Sequence, residues 1–366
     1  MIMLNIPVYK PFLSDLEEKY VNECIKTNWI SSRGKFISKF EESFSNYLGI
    51  KHSTSVSNGT VALHLALHSL GIGPNDEVIL PTLTYVATAN SVAYVGAKPV
   101  FIDSDKDTWN INPEKIISKI TKNTKAILVV HLYGNPCSMD KIMEICEKYK
   151  LFLIEDSAES FGSTYKGVYM GNFGNISTFS FFGNKTITTG EGGMVSSSNK
   201  ELINRAAYLK SQAVSKEKEY WHDEIGFNYR MTNICSAIGL AQLEKADIIL
   251  QKKLKIAMWY QKFLKDCDVT FQKSEKDCVN SFWMVSILMK NEKDRDNIRE
   301  YLKARGVETR PLFPPMHTMG IFKSNEKFPI AESLATKGFN LPSYPDLKEE
   351  DIFSISEIIK EYFESI

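Results

Sequence analysis

The chain has no excess of charge: 44 lysines and arginines stand against 44 aspartates and glutamates. With the two signs interspersed, no basic face is offered to nucleic acid or to an anionic membrane surface, and neither is expected as a partner. Cysteine is sparse. The six cysteines, Cys24, Cys137, Cys146, Cys235, Cys267 and Cys278, include no CxxC pair, which argues against a zinc site, and no metal is expected. Most of them sit in apolar, helix-patterned surroundings and read as buried free thiols, the state of a reducing cytoplasm, which is the expected location. No apolar stretch approaches the ~20 residues that span a bilayer. The N-terminal MIMLNIPVYKPF lacks the basic and apolar regions of a signal peptide. Gly/Ser linkers, internal repeats and low-complexity tracts are also missing. What remains is a chain of 366 residues, 43% hydrophobic, long enough for one large domain and a smaller one in close contact with it.

Short apolar runs alternate with amphipathic stretches through the first half. Ser14 and Glu17 form a capping box that opens a helix to Thr27, with Leu16, Tyr20, Cys24 and Ile25 on one face. Phe36, Phe40, Phe44 and Leu48 repeat the helical spacing. EVIL at 77–80, PVFI at 99–102, AILVV at 126–130 and LFLI at 151–154 read as buried strands, with helices such as Met139 to Tyr149 between them. Strands too apolar for a one-sided sheet predict an α/β fold: a mostly parallel sheet covered on both faces. After about residue 231 the pattern changes. Met231 to Lys265 predicts a long helix or a bent pair, 283–289 a strand, and Asp294 to Arg305 a helix. These form a smaller α+β domain over 241–366, against a large domain over 1–240 whose first 30 or so residues are free to pack on the small one.

Several residues in the large domain carry chemistry. Lys185 lies in FSFFGNKTITTGEGG, after an aromatic strand closed by Thr178 and beside Gly183, Gly190, Gly192 and Gly193. An isolated loop lysine is ordinarily a solvated side chain. One held between apolar walls and a cationic ligand is neutral and nucleophilic. Asp156 ends the strand LFLIED, where ligands of open α/β sheets bind, unless it merely caps a helix. Glu159 follows one turn later and could equally lie on the surface. Ser57-Asn58-Gly59-Thr60 follows a short strand and opens the helix Val61 to Leu70, an arrangement suited to phosphate or simply to a capped helix start. Ser180 offers a further hydroxyl, and Tyr85 in PTLTYVATAN a ring for stacking or for the core. A reactive lysine, a strand-end carboxylate, a phosphate cup and an aromatic face are what pyridoxal-5′-phosphate (PLP) requires of its protein.

The segments VSNGTVALHLAL, PTLTYVATAN, IEDSAESFGS, FSFFGNKTITTGEGGM and GFNYRMTNICSAIGLAQL occur in order along the chain. Together they resemble the DegT/DnrJ/EryC1/StrS family of sugar aminotransferases, end to end from IPVYKP to LPSYP. The resemblance implies fold type I, the aspartate-aminotransferase architecture, with a mostly parallel sheet of the seven-stranded type. It implies that Lys185 is the Schiff-base lysine and proton shuttle, that Asp156 pairs with the pyridine nitrogen, and that Glu159 sits by the ring hydroxyl. Tyr85 would stack on the ring. Ser57, Gly59, Thr60 and Ser180 would hold the cofactor phosphate, with Asn228 reaching in from the other subunit of a homodimer. Trp29, Ser31, Arg33, Arg230 and His317 are the implied substrate contacts.

The resemblance further implies a ping-pong reaction between L-glutamate and a nucleotide-linked 4-keto-6-deoxyhexose, giving a 4-amino sugar for a surface glycan. FSFFGNKTITTGEGG and YWHDEIGFNYRMTNIC are most similar to members that act on GDP-linked sugars, with UDP and dTDP as alternatives. Those members read proline after HTM, where this chain has Gly320. Relatives that dehydrate at C3 carry histidine in place of the lysine, so Lys185 argues against that chemistry. A cysteine desulfurase needs a reactive loop cysteine, for which Cys137 is the nearest candidate. A non-enzymatic regulator would have no use for the full set.

Overall fold

A computed structural model describes residues 4–364. The apolar runs of the first half become strands of one sheet: β1 (His52–Val56), β2 (Glu77–Pro81), β3 (Lys98–Ile102), β4 (Thr124–Val130) and β5 (Phe152–Asp156). A short hairpin, β6 (Thr164–Tyr165) and β7 (Val168–Tyr169), precedes β8 (Ile176–Ser180) and β9 (Gly193–Ser197). The seven strands lie in the order β1-β9-β8-β5-β4-β2-β3. Neighbours from β3 to β8 pair in parallel, and β9 alone runs against both of its neighbours. Every residue of β2 and β9 is buried, which is the pattern of a sheet covered on both faces. Fold type I with a seven-stranded, mostly parallel sheet is therefore what the chain adopts. β8 continues to Ser180, two residues past the end read from the sequence.

The helices of this half are α1 (Asp15–Lys26), α2 (Lys35–Leu48), α3 (Gly59–Ser69), α4 (Ala87–Tyr94), α5 (Met139–Tyr149) and α6 (Lys200–Leu209). The capping box of α1 is formed, with the Ser14 amide donating to Glu17 at 2.7 Å. The face of α2 read from its spacing is the buried one: Phe36, Phe40, Phe44 and Leu48. Alternation along β4 divides the core. Ala126, Leu128 and Val130 pack with Leu63, Leu67 and Val92 from α3 and α4, while Ile127 and Val129 pack with Ile142 and Ile145 of α5.

Residues 231–265 form the bent pair α7 (Asn233–Glu244) and α8 (Ala246–Phe263). Beyond them come β10 (Thr270–Phe271), β11 (Cys278–Val279), β12 (Val285–Leu288), α9 (Glu292–Lys303), β13 (Arg310–Pro311), α10 (Pro329–Lys337), β14 (Gly338–Leu341) and α11 (Glu349–Glu364). Four of these strands make an antiparallel sheet in the order β10-β12-β14-β13. β11 leaves that set to pair with β6 of the first half. A second core joins Ile256 and Tyr260 of α8 to Ile287, Ile298, Phe339 and Ile355, and Ile6 reaches into it beside Val307. Ile249, one end of the same helix, packs instead with α2. On this packing we propose that the two lobes divide within α8, beyond residue 240. Among the described residues, no helix is long and apolar enough to cross a membrane.

Candidate active site

The parallel strands deliver their carboxyl ends to one side, where open α/β sheets hold their ligands. There lies a cavity of about 670 Å³, with Gly59, Tyr85, Asp156, Ser180, Lys185 and Trp283 among its walls. Asp156 is the last residue of β5, Ser180 the last of β8, and Gly59 the first of α3.

Lys185 sits in the loop after β8. Its amide donates to the Phe182 carbonyl at 2.9 Å, and its own carbonyl accepts the Tyr9 hydroxyl. The side-chain nitrogen lies 3.7 Å from Glu159 Oε1 and 3.8 Å from the centroid of the Trp283 ring. Burial lowers the pKa of the amine; Glu159 and Asp156 oppose this. The result is a lysine displaced toward its nucleophilic form.

Asp156 is buried, and its two oxygens accept the Thr88 hydroxyl at 2.9 Å and the Ala158 amide at 3.2 Å. Residues 157–159 make a turn and open no helix, so the aspartate is not a helix cap. Burial raises its pKa, while Thr88, the Ala158 amide and Lys185 pull it down. A cation beside it would act in the same sense as Lys185. Glu159 is buried too, not on the surface. Its Oε2 accepts the Tyr133 amide at 2.7 Å, and burial pushes its carboxyl up to about 7.

Asn58 caps α3 through the Val61 amide at 3.0 Å. A Cβ on Gly59 would come within 2.7 Å of the Ser180 Cβ, so glycine alone lets the start of α3 lie against the end of β8. Thr60 lines the cavity as well. Tyr85 is 56% exposed, its ring 5.7 Å from Phe313, so it is a wall residue and not core. Amine, carboxylate and a cradle that any side chain would fill suit the aldehyde, ring nitrogen and phosphate of PLP.

Other residues singled out from the sequence lie elsewhere in this chain. Ser57 is held by its amide to the Tyr229 carbonyl at 2.8 Å, and Asn58 lines the cavity in its place. Trp29, Ser31, Arg33, Asn228 and Arg230 are exposed and lie off the cavity. The Trp29 and Ser31 carbonyls accept from Asn233, and Arg230 donates to Asn228 at 2.9 Å. His317 is buried between Thr82 at 2.8 Å and Glu332 at 3.2 Å, beside a second groove. Cys137 is no nucleophile: it is fully enclosed, its thiol points at the Val130 carbonyl, and burial pushes its pKa well up. Only three of the six cysteines are buried, the others being half-buried. The reading from sequence missed Thr88, Tyr133, Trp283 and Arg310. Thr88 lies within PTLTYVATAN and Trp283 at the start of the strand-like 283–289 run, whose pattern marks an element and no chemistry; Tyr133 and Arg310 come from segments without a local signal.

The chain belongs to the DegT/DnrJ/EryC1/StrS aminotransferase family, whose profile matches residues 12–360. It is a PLP-dependent sugar aminotransferase of fold type I. It is 52% identical over 99% of both chains to the GDP-perosamine synthase of Escherichia coli O157:H7. It is 44% identical to the GDP-perosamine synthase of Vibrio cholerae, over 99% of this chain and 100% of that one. Among solved structures it is similar to the PLP form of Spr1654 of Streptococcus pneumoniae, with a TM-score of 0.94, 25% identity and 99% coverage of each chain.

Proposed function

We propose that this chain transfers the amino group of L-glutamate to C4 of GDP-4-keto-6-deoxymannose, making GDP-perosamine for a surface glycan. It would do so in the cytoplasm, where its six free cysteines stay reduced, as a homodimer with shared active sites. The observation that carries the reading is the pairing of Lys185 and Asp156 in one buried cavity, in a chain that matches two GDP-perosamine synthases along their whole length.

When bound, PLP supplies a carbonyl that condenses with amines and a ring that withdraws electrons from the adjacent carbon. The residues do the rest. Asp156, already hydrogen-bonded by Thr88, would hold the proton on the ring nitrogen. Glu159 would accept at the ring hydroxyl. Gly59, Thr60 and Ser180 would hold the phosphate end, and Tyr85 would lie against the ring. Among the described residues, Lys185 is the one lysine in the cavity wall. Its Nζ accepts the proton leaving the α-carbon of glutamate, which departs as 2-oxoglutarate, and gives a proton to C4 of the sugar in the second half-reaction. Asn228, Arg230 and the Trp29–Arg33 segment are exposed and off their own cavity, which supports service to the partner's.

Lys185→Ala tests this. The purified wild type should be yellow. The variant should bind PLP but turn over at least about a thousandfold more slowly, having lost both nucleophile and proton carrier. Turnover at the wild-type rate would refute the assignment.

A further inference from the structure

The loop that carries Lys185 is held from the C-terminal side of the molecule by Trp283. This side chain is 4% exposed. Its indole Nε1 donates to the Asn184 carbonyl at 2.6 Å, one residue before the lysine, and its ring lies 3.8 Å from the lysine nitrogen. The ring is stacked on Tyr133, centroids 6.1 Å apart at 15°, and on Phe313, 6.4 Å apart at 21°.

The backbone is shaped to place it. Gly134, at φ +99°, lets residues 280–283 approach so closely that a Cβ would lie 2.9 Å from the Trp283 amide nitrogen. Asn280 accepts the Phe282 amide at 2.6 Å, and the Ser281 amide donates to Ser163 Oγ, which donates in turn to the Gly134 carbonyl at 2.6 Å. Tyr133, next to Gly134, gives its amide to Glu159. One close approach therefore sets both the carboxylate and the aromatic face that Lys185 meets.

We infer that Trp283 is a positioning residue for Lys185: the indole N–H fixes the loop, and the ring face holds the amine in place and favours its protonated form. The inference rests on Lys185 being the PLP-bonding lysine. An ammonium over a desolvated aromatic face is stabilised by the ring quadrupole. Trp283 thereby offsets part of the burial that depresses the amine, and keeps a proton available for delivery to the substrate carbon. The charged groups facing the amine are Glu159 and Asp156, with Glu191 and Arg310 elsewhere in the cavity wall. Substitution at 283 leaves all four in the sequence.

The test uses cofactor-free protein. PLP is added between about pH 6 and about pH 10, and the rate of the absorbance change on covalent capture is recorded; capture requires the neutral amine. Trp283→Leu should move the midpoint of that profile down by about one pH unit, and Trp283→Phe, which keeps a ring, by less than half as much. In turnover, Trp283→Phe loses the loop bond and should lower kcat roughly fivefold with an unchanged KM for glutamate. A midpoint that stays or rises in folded Trp283→Leu overturns the inference. Should that variant not fold, an unchanged kcat in Trp283→Phe does the same. Failure of the wild type to capture PLP on Lys185 would instead refute the underlying reading, and this inference with it.

Discussion

Asp156 and Lys185 are charged groups driven toward neutrality from opposite sides by the same burial. Glu159 lies between them in role: it faces the lysine and is pushed up to about 7. Such a site is costly to maintain and is poised to take a cation beside the aspartate. Asp156→Asn keeps the shape and removes the charge. The half-reaction with glutamate should slow roughly a hundredfold or more, the scale of losing one member of a buried charged pair. Stopped-flow spectra that give the wild-type rate would reduce Asp156 to a turn-former bonded to Ala158. At this scale the sequence was most legible where chemistry coincides with a strand end, as at Asp156, or with a glycine-rich loop, as at Lys185. Thr88 and Trp283 were not legible because their roles are tertiary. Thr88, on α4, matters through an aspartate at the end of β5, and Trp283 through a loop that only folding brings beneath it.

The elements followed from periodicity with small displacements, because buried strands and one-faced helices announce themselves. The reversed direction of β9 did not, since parallel and antiparallel central strands are equally apolar. Lys253 in α8 was another hidden feature. The helix carries it into the interior, where it donates to the Ser343 carbonyl at 2.6 Å and burial lowers its pKa to about 7. The unfolded chain then binds more protons than the folded one between about pH 7 and the ordinary lysine value of 10.5, so stability rises with pH across that window. The cost is fully present below about pH 7 and disappears above the unfolded pKa. Lys253→Met should therefore raise Tm at pH 7, with an advantage over wild type that shrinks toward pH 10. Thermal melts across that range check it; an advantage independent of pH would place the ammonium in a solvated setting.

In the whole molecule, the surfaces that the cavity leaves unused are as informative as its walls. The Asn228 side chain is exposed and accepts from Arg230 of its own chain, although family resemblance assigns it to the cofactor phosphate. A site shared across a dimer reconciles the two. Asn228→Asp would set a carboxylate against that phosphate, and Lys185→Ala removes the amine, so each homodimer should be nearly inactive. In a tagged heterodimer of the two, both defects fall in one site if Asn228 acts in trans, and up to about half of the wild-type activity returns through the other site. A folded, PLP-loaded heterodimer without recovery would place Asn228 in its own chain's site. Composition and spacing gave no sign of such a role; only the family resemblance pointed to Asn228. Substrate choice belongs to this scale too, and Gly320 is a departure from the GDP-sugar pattern after HTM. The most direct test offers the purified enzyme glutamate with GDP-4-keto-6-deoxymannose and, separately, UDP- and dTDP-4-keto-6-deoxy sugars, identifying products by mass and NMR. The expected result is GDP-perosamine, formed with a kcat/KM at least about tenfold above that for the other two. A UDP- or dTDP-linked 4-amino sugar as the preferred product would contradict it.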